Sequence, residues 1–464
     1  MPVNESLEYF PLFDPETGAD PPGVSAAIGT RIAAVGTPDA LGGAGAVVVY
    51  MYSEAENGWG YVGVMTGAKI SGSEQVRAVG SSLAAFGDTV IVGAAGDATT
   101  PGRVFVLSPP YGIWSYSVTP VVAELSYPKS APGDGFGRSV AHCSDGRDHY
   151  VAVGAPGAAA PIGATGPGQV FLYKGLGRSN EPWNTSPVGN PAPDGTDTDR
   201  FASSVAISMS GDGAGSIDGT VTIAVGAPGA RSGEGAVYVA RTAEAGNWTS
   251  PFRFGEPLVP SFPESDDFAT QNYGSALAMT GGSVLAVGAP DDPNFDEQIE
   301  GTGAVWLYTY SDAGFVPAQV RLYGPTEGGN FGSSVAFPET APGTRAGYMV
   351  VGAPGAGPGA AYRFVEAGDG YKLGQELASL PGKPGNRFGA AVSASDYQNG
   401  AWCLVGAPGV VKAGQDGGGF VFADAERAPR WMNPPTLVTS PPIRWGGLAP
   451  DWWKKFTPEI ARYL

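Results

Sequence analysis

Cysteine, histidine and charge are all scarce in this chain. Its 464 residues include two cysteines and two histidines, and Lys, Arg, Asp and Glu together make up only 15%. Two cysteines, Cys143 and Cys403, cannot build a disulfide framework and show no metal-ligand spacing, which leaves them as buried thiols. His142 and His149 fall near one hairpin without a nucleophile motif or zinc signature, so histidine-based catalysis has no support and His142 reads as a structural residue. No apolar run approaches membrane-spanning length, and residues 1–8 (MPVNESLE) lack the basic and apolar regions of a signal peptide. A soluble chain without membrane insertion is expected. Basic residues are outnumbered 26 to 44, and a net charge of −18 opposes phosphate backbones, so nucleic acid is excluded as a partner.

Glycine and proline are abundant instead. The 73 glycines are about twice average usage, and with 42 prolines they predict many short strands and tight turns. Hydrophobic residues at 42% exclude a disordered chain and can fill a substantial core.

Self-similarity organises these strands. A small apolar strand opening near Phe-Gly-Ser-Ser-Val-Ala leads through a hairpin to a second strand ending in Val-Gly-Ala-Pro. Seven copies start at Gly23, Val79, Phe136, Phe201, Tyr273, Phe331 and Phe388, 56 to 72 residues apart. Each copy continues through a glycine-rich loop into a third strand, such as GAVVVYMY, GQVFLY or GAVWLY. A fourth is usually visible, for example Ala318 to Gly324 (AQVRLYG). The inner strands carry Ala, Gly, Ser and Val and the outer ones Tyr, Phe and Trp. That gradient suits blades that widen away from an axis. The expectation is an all-β fold, a seven-bladed β-propeller of four-stranded blades over residues 1–430, followed by a non-repeat C-terminal tail over 431–464. Ser6 to Ser25 reads like an outermost strand and its connection, so residues 7–13 are expected to complete the seventh blade; the competing reading gives that place to Trp431 to Thr439.

Phe331-Gly332 with Val351-Gly352-Ala353-Pro354, and their counterparts, resemble the FG-GAP repeat family, best known from the integrin α-subunit propeller. The resemblance covers about residues 6 to 430. It implies a seven-bladed propeller that binds protein or glycan ligands on one face. Gly352 and its equivalents are expected where a close backbone approach or a positive φ is required.

Members of that family often bind calcium in the hairpin between the FG strand and the GAP strand, through a D-x-D-x-D-G-x-x-D arrangement. This chain mostly departs from it. The nearest match is the fourth copy, with Ser210, Asp212 and Asp218 at ligand spacing but Ala214 where a third carboxylate would stand; Asp145 and Asp148 of the third copy match less well. Calcium at Ser210, Asp212 and Asp218 is a weak candidate, set against a solvated hairpin.

Because strand direction alternates, the loops after Gly-Ala-Pro and those before each FG strand emerge on one face. The longest run Gly189 to Arg200, Pro260 to Asn272 and Asp291 to Thr302. They carry Asp194, Asp197, Asp199, Glu264, Asp266, Asp267, Asp291, Asp292, Asp296, Glu297 and Glu300, an acidic rim on the fourth and fifth blades. It reads either as a binding site for a basic surface or bridging cation, or as charge that keeps long loops solvated. The tail combines prolines with Trp431, Trp445, Trp452 and Trp453, and Thr457-Pro458-Glu459 opens a short terminal helix. Its tryptophans suit docking onto other subunits of a larger assembly or packing along the propeller's own flank.

The expected function is non-enzymatic: an adhesion or receptor-binding propeller, a structural component of a virion or of an extracellular or cell-surface assembly. The alternatives are a purely structural scaffold or decoration protein and a polysaccharide-active enzyme.

Overall fold

The computed structural model describes residues 7–11, 25–53, 58–73, 75–109, 114, 120–125, 127, 130–158, 166–175, 183, 188–191, 199–211, 217–242, 253–260, 271–293, 301–311, 314–368, 370–377, 385–397, 400–412 and 415–423. Their strands pair antiparallel into separate sheets in which, the last sheet's outermost strand apart, chain order is also spatial order from inside to outside. The first is Ser25–Ile28, Ile32–Thr37, Ala46–Ser53 and Gly58–Thr66. The second is Val79–Phe86, Thr89–Ala94, Arg103–Ser108 and Val121–Leu125. The third is Ser139–Ser144, His149–Ala155, Gln169–Gly175 and Val188–Pro191. The fourth holds three strands, Ser204–Gly211, Ile217–Ala227 and Ala236–Thr242. The fifth is Ala276–Thr280, Val284–Ala289, Ala304–Ser311 and Gly314–Tyr323. The sixth is Ser334–Ala336, Tyr348–Ala353, Ala360–Ala367 and Gly370–Leu377. The last is Ala391–Tyr397, Gly400–Lys412 and Gln415–Ala423, with Leu7–Pro11 outermost.

The protein is an all-β propeller. Innermost strands touch in chain order, and Ser25–Ile28 touches Ala391–Tyr397, so the sheets close into a ring. The expectation of seven four-stranded blades needs correction: six sheets have four strands. Among the described residues the fourth sheet stops at three, and beside its outer strand stands only an isolated bridge from Val237 to Leu258. Leu7 pairs with Phe422 and Pro11 with Gly418, placing the N-terminal segment on the edge of the last sheet. Leu12, Phe13 and Trp431 to Thr439 lie outside the described residues.

Four of the second strands, Ile32–Thr37, Thr89–Ala94, Val284–Ala289 and Tyr348–Ala353, are buried along their whole length. Both of their faces meet a neighbouring sheet, so the apolar run is continuous and does not alternate.

The FG and GAP motifs are where neighbouring sheets join. The aromatic of the first motif (Phe136, Phe201, Tyr273, Phe331, Phe388) is at most 1% exposed and wedges between its own sheet and the preceding one. Its backbone N–H donates to the preceding sheet, as from Phe201 to the Pro167 carbonyl (2.9 Å) and from Phe331 to that of Thr302 (3.0 Å). The glycine of Val-Gly-Ala-Pro lies against the next sheet's backbone. A Cβ on Gly352 would overlap the Gly389 carbonyl oxygen, and one on Gly154 that of Ala202. Close approach, not positive φ, is therefore what demands glycine at Gly352.

The two serines of Phe-Gly-Ser-Ser have separate tasks. The first closes its own turn, Ser203 Oγ donating to the Arg200 carbonyl (2.7 Å) and Ser333 Oγ to that of Asn330 (2.7 Å). The second reaches into the next sheet: Ser25 to Gly80, Ser82 to Gly137, Ser139 to Ala202, Ser204 to Gly274 and Ser334 to Gly389, at 2.6 to 2.9 Å.

Candidate functional site

The acidic rim begins at the turns just described, and its roots are structural. Asn272 and Asn330 each precede a motif aromatic in the left-handed region, with φ of 52° and 51°. Asparagine tolerates this conformation, and its amide is left free to bond elsewhere. Both amides converge on Asp291. Asn272 Nδ2 donates to Oδ2 (2.6 Å) and Asn330 Nδ2 to Oδ1 (3.1 Å), so one carboxylate ties the fifth sheet to the sixth.

Asp292 is fully buried. Trp306 Nε1 donates to its Oδ2 (2.8 Å), while Oδ1 has no hydrogen-bond partner. Burial pushes its carboxyl up to about 6, against the Trp306 hydrogen bond and the Arg321 charge. Gln271, also fully buried, leaves both amide atoms without a partner. Asp199 is half-buried, and its carbonyl accepts from the Gly229 N–H (3.1 Å). Asp194, Asp197, Glu264, Asp266, Asp267, Asp296, Glu297 and Glu300 lie outside the described residues. Within the described part of the rim, then, Asp291 and Asp292 secure the loop bases.

The weak calcium candidate meets a cation that is already present. Ser210 Oγ donates to the Thr220 carbonyl (3.2 Å) and accepts from Arg241 Nη2 (3.0 Å). The Arg241 guanidinium stacks 3.6 Å above the Tyr310 ring, which is 41% exposed. A guanidinium bonded to the hydroxyl opposes a divalent ion at the same oxygen. Asp212 and the side chain of Asp218 lie outside the described residues. In the third sheet's hairpin, Asp145 Oδ1 accepts from the backbone N–H groups of Arg147 and Asp148 (2.8 and 2.6 Å), and Asp148 pairs with Lys174 Nζ at 2.7 Å. Among the described residues no three His, Cys, Asp or Glu side chains converge as a metal centre.

The two histidines are brought together. His142 Nε2 stands 2.9 Å from His149 Nδ1, and the His142 ring stacks on Phe86 at 3.9 Å. Glu339, which carries no motif signal in the sequence, places Oε1 3.4 Å from His142 Nδ1. The one hint is the sixth copy's long hairpin, between Ala336 and Tyr348. Burial first, and the neighbouring His142 second, lower the His149 pKa to about 4. Trp431, Trp445, Trp452 and Trp453 lie outside the described residues.

No family model matches the chain, and no curated protein matches it. Among solved structures it is similar to Sqt1 of Saccharomyces cerevisiae, at 10% identity and a TM-score of 0.42, over 89% of this chain and 87% of that one. It is also similar to the Dos1 propeller, at 13% identity and a TM-score of 0.43, over 85% and 75% of the two chains. At that level of likeness neither carries an argument about function.

Proposed function

We propose that this protein is a non-enzymatic, seven-bladed propeller of the FG-GAP kind that works as a binding and assembly module. Its ligand, a protein or a glycan, meets the loop face of the fourth and fifth sheets. Residues 431–464 fasten it to other subunits of a virion or extracellular assembly.

The observation that supports this reading most is the contrast within the rim loops. Their bases are fixed, Asp291 between two asparagines and Asp292 under Trp306. The segments between those bases differ in length and carboxylate content from copy to copy. Variable loops on a rigid ring are a common way to present a binding surface.

The test is binding to immobilised glycans and basic proteins. Asp194→Asn, Asp197→Asn, Glu264→Gln, Asp266→Asn and Asp267→Asn together are expected to abolish it without changing the unfolding midpoint. Unchanged binding, with assembly lost on deleting residues 431–464, would support a pure scaffold instead. Turnover on a polysaccharide panel would overturn the non-enzymatic reading.

A further inference from the structure

Side chains alternate along a strand, and the face that the fourth sheet turns to the fifth changes character along its length. Toward the Val-Gly-Ala-Pro end it is apolar, with Ala206 and Ala224 packed against the cluster that holds Leu285 and Val287. Toward the hairpins it becomes polar. Ser208 stands in register with Thr222, and Thr222 with Arg241, so the three lie side by side on one face. Two contacts show that this face meets the fifth sheet: Ser208 Oγ accepts from the Gly282 N–H (2.9 Å), and Arg241 lies over Tyr310.

Two enclosed atoms of this row have no hydrogen-bond partner. Thr222 is 0% exposed and its Oγ1 is unbonded. Arg241 directs Nη2 to Ser210 Oγ (3.0 Å) and leaves Nη1 enclosed and unbonded. Both groups donate, and the guanidinium can only donate. Among the described residues no carboxylate pairs with Arg241.

Other sheets show how the same level is completed elsewhere. Thr89, Tyr150 and Thr222 occupy equivalent places ahead of the motif glycines Gly93, Gly154 and Gly226. In the second sheet Thr89 Oγ1 bonds to Ser108 Oγ (3.2 Å). In the third, Lys174 stands in register with Tyr150 as Arg241 does with Thr222, lies 5.4 Å over that ring and pairs with Asp148 at 2.7 Å. In the fourth sheet the hydroxyl has no partner and the cation no anion. An enclosed donor calls for an acceptor, and an enclosed charge for its opposite. Water would answer the donors alone; an anion answers both.

We propose that Arg241 and Thr222 form a binding site for a compact monovalent anion, a halide or a single carboxylate group, between the fourth and fifth sheets.

The site has the opposite sign to the calcium expected at Ser210, because the guanidinium that repels a divalent cation there is what attracts the anion. Its ligand is small, since Nη1 and Thr222 Oγ1 are enclosed. It lies near the surface, with Arg241 half-buried and Tyr310 41% exposed. It sits on the hairpin face, away from the loops proposed to meet a protein or glycan, so either reading can fail without the other.

Crystals of the full chain soaked in bromide and, separately, in formate test the site. Anomalous scattering is expected to place bromide within hydrogen-bond distance of Arg241 Nη1 and Thr222 Oγ1. In solution, the unfolding midpoint is followed as bulky methanesulfonate is replaced by bromide or formate at equal ionic strength. The wild type is expected to gain over Thr222→Val, and comparing the two proteins cancels the general action of each salt. Thr222→Val keeps the side-chain shape and leaves Arg241 in place; it should weaken anion affinity about tenfold, and Arg241→Gln should abolish it. A response to bromide identifies a free halide as the ligand, and a response to formate alone identifies a carboxylate group. Water alone at the site in both crystals, or equal responses of the wild type and Thr222→Val, overturns the proposal. Should neither variant fold, the two wild-type crystals decide.

Discussion

On the face where the Val-Gly-Ala-Pro loops emerge, neighbouring sheets are joined by the same chemistry at nearly every step: a buried aromatic, a glycine under a carbonyl and a serine hydroxyl crossing to the next sheet. On the hairpin face the described contacts between sheets differ from one another. Arg241 lies on Tyr310, Glu339 meets His142 across the axis, and Thr280 accepts from Ala346. The first arrangement repeats because it answers one geometric demand, close approach of adjacent sheets near the axis. The second is free to differ, so individual character collects there and in the loop inserts.

Substitution at a repeated joint is the strongest way to break this comparison. Phe331→Ala removes a wedge that is 1% exposed and should cost about 3–5 kcal/mol in denaturant unfolding, whereas Tyr310→Ala on the other face should cost less than about 1 kcal/mol. Equal losses would show that the two faces do not differ in kind. Gly352→Ala forces a methyl against the Gly389 carbonyl and should lower stability by about 3 kcal/mol, with a methyl-sized expansion of the sixth joint visible in a crystal structure.

The faces should also titrate in opposite senses. Asp292, raised in the folded state to about 6, keeps its proton while the unfolded chain loses one, so its contribution weakens as pH rises from about 4 to above 6, by on the order of 2 kcal/mol. His149, lowered to about 4, stays neutral while the unfolded chain takes up a proton below about 6.5, so its contribution weakens as pH falls through that window. Unfolding curves of Asp292→Asn and His149→Gln against pH should each lose one limb of this dependence, and a variant that leaves both limbs intact contradicts the assignment. The smallest expected effect is Ser204→Ala, which strands the Gly274 carbonyl and should cost about 1 kcal/mol in the same assay.

These outcomes bear on how much the sequence could disclose. The propeller was legible because the demand for small residues near the axis recurs in every copy and a motif aromatic in five of them, leaving a period in the chain. The three-stranded state of the fourth sheet among the described residues was not, since the repeat alone predicts a fourth strand where the structure shows only the isolated bridge from Val237 to Leu258. Asp291 and Asp292 read as ligand-facing because they stand in a charged loop. Side-chain direction is set by turn geometry, which sends one to two asparagines and the other under an indole. Glu339 with His142 was beyond reach: the partners sit in copies three apart, and a contact across the axis leaves no periodic trace.

The pairing of Leu7–Pro11 with Gly418–Phe422 has a temporal side. A chain synthesised from its N-terminus makes this outer strand first and its partner after every other sheet has been translated. Until then the strand has a free edge and nothing to close, and the ring is an open arc whose two ends await each other. Loop-closure entropy over almost the whole span from Leu7 to Phe422 falls on that one step. Protecting the early strand's exposed edge from other chains is then a task for the ribosome-bound interval, and not for the finished protein.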